Sequence, residues 1–149
     1  MKNNTTIYVD MDGVLCDFKH LYDLKVKEIN YPQAEFDFFR KLKPIHKSIE
    51  SFLYLYNNFD TYILTSPSYK NPMCYTEKML WVKDNLGEKI VENLIISCHK
   101  NLLIGDYLID DNLQGCGQEN FKGELIHFGS HKFPSWEEIC LFFKNKITE

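Results

Sequence analysis

Apolar and polar positions follow two periods along this chain, and the switches between them predict most of its elements. Ile7-Tyr8-Val9 closes residues 5–9, an apolar run with the length and composition of a buried strand. Thr61-Tyr62-Ile63-Leu64, Leu94-Ile95-Ile96, Tyr107-Leu108-Ile109 and Glu124-Leu125-Ile126-His127-Phe128 read the same way. Between these runs the period lengthens toward 3.6. Phe18, Leu21, Tyr22, Lys25 and Ile29 predict a helix over 17–29. Tyr31-Pro32 ends it, because a residue before proline is pushed out of the α region. Ile45, Ile49, Phe52, Leu53 and Tyr56 mark a second amphipathic helix. Asn71-Pro72 opens a third, with asparagine as N-cap and proline in the first turn. Tyr75, Met79, Val82 and Leu86 line its face, and Gly87 stops it. Ser135-Trp136-Glu137-Glu138 is a capping box that opens the last helix. Strands alternating with helices predict an α/β fold with a central parallel sheet, doubly wound.

The polar residues gather where the strands end. Asp10-Met11-Asp12-Gly13, Thr65-Ser66-Pro67 and Asp110-Asp111 each follow a short apolar strand, and Lys100 lies just beyond another. In a parallel sheet these ends share one edge, and that edge is where open α/β sheets bind ligands. Taken singly, each cluster reads as an acidic turn, a cap or a surface lysine. Taken together they describe a site. Asp10 and Asp12 share a face if the strand continues; otherwise the backbone breaks near Gly13 and sets both acids at the strand end. Two carboxylates in one crevice repel, and are stable mainly when they share a proton or a metal. Three or four carboxylates with one lysine make a hard-oxygen site suited to Mg²⁺. A phosphate monoester is a dianion that carboxylates alone would repel. The metal and Lys100 offset that repulsion, while Thr65 and Ser66 can donate to phosphoryl oxygens. Such a set supports phosphoryl transfer through an aspartyl-phosphate.

Composition narrows the partners. A chain of 149 residues is enough for one domain with a proper core. Hydrophobic residues at 44% and charged residues at 26% are those of a soluble protein. A formal charge of −4 argues against a nucleic acid polymer, since no basic surplus exists to neutralise its phosphates. The five cysteines form no CxxC pair, so reduced thiols in the cytoplasm are expected. The N-terminus has no apolar leader, and no apolar run approaches the ~20 residues of a membrane span. The oligomeric state stays open between monomer and homodimer.

The order Asp10-Met-Asp-Gly-Val-Leu-Cys-Asp-Phe18, then Thr65-Ser-Pro67, then Lys100, then Ile109-Asp-Asp111 resembles the haloacid dehalogenase superfamily of aspartate-nucleophile phosphatases. Within it the chain is similar to the 5′(3′)-deoxyribonucleotidases, through Phe38-Phe39, Leu42-Lys-Pro44 and Tyr75-Thr-Glu-Lys-Met-Leu-Trp-Val82 as well. The resemblance implies a three-layer α/β/α Rossmann-like fold over 1–149, with a short helical cap at about 17–44 inserted after the first strand. It implies Asp10 as nucleophile and Asp12 as general acid and base. Mg²⁺ would be held by the Asp10 carboxylate, the Asp12 backbone carbonyl and Asp111, with Asp110 orienting a metal-bound water. Thr65, Ser66 and Lys100 would hold the phosphate, and Phe18 and Phe39 would wall the nucleoside pocket. The expected substrate is a deoxyribonucleoside monophosphate. Another small phosphate ester is the nearest alternative, and a catalytically idle nucleotide-binding module the next. The chain departs from the family in two places: the stretch between Phe18 and Phe39 is short and lacks a tryptophan-bearing portion, and Cys98 replaces an arginine two residues before the motif lysine.

Overall fold

The computed structural model describes residues 1–148. Five strands, β1 (Asn3–Val9), β2 (Phe59–Thr65), β3 (Leu94–Ile96), β4 (Tyr107–Asp110) and β5 (Glu124–His127), form one parallel sheet in the order β3-β2-β1-β4-β5. β1 is central. The chain runs outward from it to β3, crosses back to β4, and finishes at β5. The strand order therefore reverses beside β1, and the crevice at such a switch point is where ligands bind. All the predicted strands form, each within a few residues of its apolar run.

Strand alternation divides the core. Ile7, Val9, Ile63, Ile109 and Ile126 point to one face. Helices α2 (Ser48–Asn58), α3 (Cys74–Leu86) and α4 (Trp136–Thr148) cover it, through Phe52, Leu55, Trp81, Val82, Trp136, Ile139 and Phe143. Tyr8, Leu64 and Leu108 point to the other face, under Phe121 and Leu103. Right-handed crossovers place outward and returning connections on opposite faces. The outward connections carry α2 and α3. The returning ones, 97–106 and 111–123, are too short for a full helix and carry only 3-10 turns at Lys100–Leu102 and Gln118–Asn120. One outer layer is thus helical and the other thin, which brings the connections after β3 and β4 close to the sheet edge.

Helix α1 (Phe18–Lys25) is shorter than the 17–29 pattern suggested, and a 3-10 turn follows at Pro32–Ala34. The Asp17 N–H donates to the Lys43 carbonyl at 2.8 Å and closes the base of this insert. α3 and the turn before it grip its far side: Asn71 Nδ2 donates to the Glu35 carbonyl at 3.1 Å, and Trp81 Nε1 to the Leu42 carbonyl at 2.7 Å. The buried stripe of α3 is Cys74, Glu77, Lys78, Trp81, Val82 and Leu86. Tyr75, expected on that stripe, is exposed. The helix starts at Cys74 rather than beside Pro72, and Asn71 caps from farther out, its Oδ1 accepting the Met73 N–H at 3.0 Å.

Candidate active site

β1 delivers Asp10 to the sheet edge. Its N–H still pairs with the Ile109 carbonyl at 2.8 Å, and then the chain turns. The Met11 carbonyl accepts from the N–H groups of Val14, Leu15 and Cys16, and Gly13 takes φ 81°. A Cβ on Gly13 would lie 2.2 Å from Asp111 Oδ2, so only glycine lets the turn approach the acids after β4. The backbone therefore breaks after Asp10. Asp10 is 5% exposed, and Asp12 is half-buried.

One carboxylate oxygen each from Asp10, Asp110 and Asp111 lies within 4.8 Å of the others. Lys100 is no surface lysine: it is 1% exposed. Its Nζ donates to Asp10 Oδ1 at 2.9 Å and to Asp110 Oδ2 at 2.6 Å. Asp110 also accepts from Gln118 Nε2 at 3.2 Å and, through Oδ1, from the Asn112 N–H at 2.9 Å. Its oxygens are occupied by protein donors, whereas Asp10 and Asp111 keep room for another partner.

Lys78 is a second buried ammonium, which sequence reasoning passed over. Its Nζ donates to Asp12 Oδ2 at 2.8 Å, Thr65 Oγ1 at 2.7 Å and the Ser66 carbonyl at 2.7 Å. Asp12 Oδ1 accepts from Cys16 Sγ at 3.4 Å. The signal was in the spacing. Lys78 falls four residues after Cys74 and three before Trp81, on the stripe that α3 buries.

Charge explains the ionisation of the site. Burial pushes the Asp10 carboxyl well above the usual carboxylate range; Lys100 opposes this, and Asp110, Asp12 and Asp111 add to it. Asp111 is raised too, by burial first, against a hydrogen bond with Asp10 and with repulsion from Asp110. Burial pulls Lys100 down, but Asp10 and Asp110 together hold it above its ordinary value. For Lys78 the same burial is outweighed by Asp12 and Cys74. Burial drives the Cys16 thiol well up, with Asp12 adding to it, so it remains a donor.

A cavity of about 310 Å³ is lined by Asp10, Asp12, Thr65, Ser66 and Lys100 on one side. The loop after β4 supplies the other side with Asn112, Gln114, Gly115, Cys116 and Gln118. A smaller one of about 220 Å³ is lined by Asp12, Gly13, Phe18, Lys19, Asp111 and Asn112. The two meet at Asp12 and Asn112. Larger hollows of about 460 and 510 Å³ lie along α2, but neither contains one of these acids or lysines. Charge and donors, rather than size, mark the cleft at the strand ends as the reactive one.

Every polar residue expected at the sheet edge is brought together. The two aromatics separate. Phe18 lines the smaller cavity. Phe39 is 1% exposed, packed on Phe38 with centroids 5.2 Å apart, and Lys78 Nζ sits 4.8 Å over its ring. It supports the site from beneath and offers no free face to a ligand. Cys98, in the place of the family arginine, is exposed and lines neither cavity.

The donor set fits a divalent cation. The clustered oxygens are hard ligands, a cavity opens beside Asp111, and the raised acids carry the repulsion that a cation would relieve. Among the described residues no helix is long and apolar enough to cross a membrane.

Comparison with known proteins shows the family. A Vibrio phage KVP40 protein provisionally named 5′(3′)-deoxyribonucleotidase is 38% identical over 145 residues, covering 94% of this chain and 85% of the phage protein. The human 5′(3′)-deoxyribonucleotidase of cytosolic type is 30% identical over 174 residues, covering 93% of this chain and 80% of its own. Residues 25–139 match the family model described as 5′ nucleotidase, deoxy (Pyrimidine), cytosolic type C protein. These matches place the chain in the cytosolic type C family of deoxy (pyrimidine) 5′-nucleotidases, a family of hydrolases.

Proposed function

We propose that the protein is a Mg²⁺-dependent phosphomonoesterase acting on deoxyribonucleoside monophosphates through an aspartyl-phosphate on Asp10. The observation that carries this reading is the pairing of Lys100 with Asp10 and Asp110 in a cavity that also holds Asp12, Thr65 and Ser66. An Asp10 carboxylate oxygen attacks phosphorus. The bond from phosphorus to the ester oxygen breaks, its electron pair goes to that oxygen, and Asp12 protonates it. Asp12 then takes a proton from water as the water oxygen attacks phosphorus, and the bond to Asp10 breaks. Thr65, Ser66 and Lys100 hold the phosphoryl oxygens. Asp10, the Asp12 carbonyl and Asp111 would hold Mg²⁺, with Asp110 oriented behind them. The ion would supply positive charge against the phosphoryl oxygens.

The segment at about 17–44 acts as a cap, and Phe18 beside the smaller cavity is its base-facing aromatic. Burial of Phe39 leaves a single aromatic wall. That favours weak discrimination among bases and keeps another small phosphate ester as the second reading. The five cysteines are all free, in keeping with the reducing cytoplasm.

A panel of ribo- and deoxyribonucleotides, sugar phosphates and small esters, assayed with and without Mg²⁺, tests this. The expected result is Mg²⁺-dependent release of phosphate, fastest from deoxyribonucleotides, that Asp10→Asn abolishes in a folded protein. Full activity in Asp10→Asn or in excess EDTA would overturn the mechanism. A sugar phosphate preferred over every nucleotide would overturn the substrate class.

A further inference from the structure

The wall of the larger cavity opposite Thr65 and Ser66 is an irregular loop, 112–117; the Asn112 N–H ties its start to Asp110 Oδ1 at 2.9 Å, and a buried side-chain amide ties its end to the charged pair behind the site. Gln118 is 5% exposed. Its Oε1 accepts the Cys116 N–H at 2.7 Å, and its Nε2 donates to Asp110 Oδ2 at 3.2 Å. The same Asp110 oxygen accepts from Lys100 Nζ, and the Lys100 main-chain N–H donates to the Cys116 carbonyl at 2.9 Å. These four bonds close a ring: Lys100 to Cys116, Cys116 to Gln118, Gln118 to Asp110, Asp110 back to Lys100.

The rest of the loop depends on that ring. At its base Gly117 takes φ 85° and packs so closely that a Cβ would lie 2.3 Å from Asn101 Oδ1. At its apex Gly115, with φ 108°, would meet nothing within 4 Å. Asn112, Gln114 and Gly115 are exposed. The loop is thus fixed at Asn112 and beside Gln118 and open at its apex near Gly115, where a glycine backbone has many conformations to lose on ordering.

We infer that Gln118 is a positioning residue: it latches the Cys116 end of the 112–117 loop to the Lys100–Asp110 pair, and so holds that wall of the phosphate cavity in place before the substrate arrives. The inference rests on the reading of this cavity as the phosphate site. It predicts a binding role. Preorganisation that is lost must be restored by the ligand, so affinity falls while the bound state reacts at its usual rate.

Gln118→Met keeps the length and burial of the side chain and removes both hydrogen bonds. Gln118→Glu keeps the acceptor for Cys116 and turns a carboxylate oxygen toward Asp110. Steady-state kinetics with a nucleotide, inhibition by inorganic phosphate and thermal unfolding are measured for both. The expected result is a rise of about tenfold in KM and in the phosphate inhibition constant for Gln118→Met, with kcat within about twofold, the scale of losing a buried hydrogen bond. Gln118→Glu shows the same rise or a larger one. Inhibition by phosphate needs no chemistry, and a side chain that only supports folding would lower the melting temperature without moving that constant. Unchanged KM and phosphate inhibition in folded Gln118→Met would overturn the latch, and so would a fall in kcat alone. If Asp10→Asn retains activity, it is the underlying reading of the cavity that fails, independently of Gln118.

Discussion

At the scale of the residue, Lys78 decides how Asp12 and Thr65 are presented. An ammonium has three protons and no acceptor. All three are spent on Asp12 Oδ2, Thr65 Oγ1 and the Ser66 carbonyl. Thr65 therefore accepts from Lys78, and its own hydroxyl proton is free to point into the cavity at a phosphoryl oxygen. Lys78→Met should leave Asp12 without its cation and release Thr65. We expect kcat/KM to fall on the order of 10²-fold, the scale of disturbing one acid–base group. Lys78→Arg should not restore it, because a fully buried ammonium leaves no room for a planar guanidinium. Far-UV circular dichroism separates this loss from unfolding, and wild-type kcat/KM in folded Lys78→Met would refute the role. Lys78 also shows where reading the chain stopped. Asp10, Asp12, Thr65, Ser66, Asp110 and Asp111 follow apolar strands directly, so strand periodicity alone places them on one edge. Lys78 sits inside a helix, and its spacing shows it only once the buried stripe is set on Cys74 and Trp81 rather than on Tyr75 and Met79.

At the scale of the element, α3 joins two functions. It carries Lys78 to the site and, with Asn71 just ahead of its first turn, fastens the insert through Trp81 and Glu77. Glu77 is buried, accepts from Asn71 Nδ2 at 2.6 Å, and faces the amides of Asp37 and Phe38, where Asp37 takes φ 70°. Burial pushes its carboxyl above the usual glutamate range, against those donors. For an acid raised in the folded state the neutral form is the one the fold prefers. Its contribution is present below the ordinary glutamate pKa and is lost as pH rises through the raised value. Glu77→Gln does not ionise. Its melting temperature relative to wild type should therefore climb as pH goes from about 4 to about 7, the range that starts at the ordinary carboxylate pKa. A difference that stays flat or falls over that range would show that Glu77 is comfortable as an anion. The strands were legible because apolar runs bounded by turn residues have few other readings. The insert was less so. Asp37, at positive φ, faces Glu77 of α3, and Lys25 at the end of α1 pairs with Glu35 across the insert, contacts that no local pattern carries.

At the scale of the whole molecule, the fold concentrates charge that it does not balance. Asp10, Asp12, Asp110 and Asp111 face Lys78 and Lys100, so by formal charge the four carboxylates exceed the two ammonium groups by two, half of the chain's formal −4 gathered at one site. The sheet forces this crowding, because β1 and β4 are neighbours in register and both end in acids: Val9 pairs with Ile109, and the next residue on each strand is an aspartate. A cation bound only by the folded state stabilises it by mass action, about 2.7 kcal/mol at a hundredfold excess over Kd. For a domain of this size that corresponds to a rise in melting temperature of roughly 5–10 °C. Mg²⁺ should produce such a rise and EDTA reverse it. Asp111→Ala should abolish the rise, since it removes an oxygen with room for the ion, whereas Asp110→Asn should reduce it less, since that carboxylate is already held by Lys100, Gln118 and the Asn112 N–H. Inorganic phosphate should stabilise the protein only with Mg²⁺ present, because without the ion the anion meets two unbalanced negative charges. An equal rise with phosphate alone would mean that Lys100 and the hydroxyls suffice to hold it, and that the acids are there for something other than a metal.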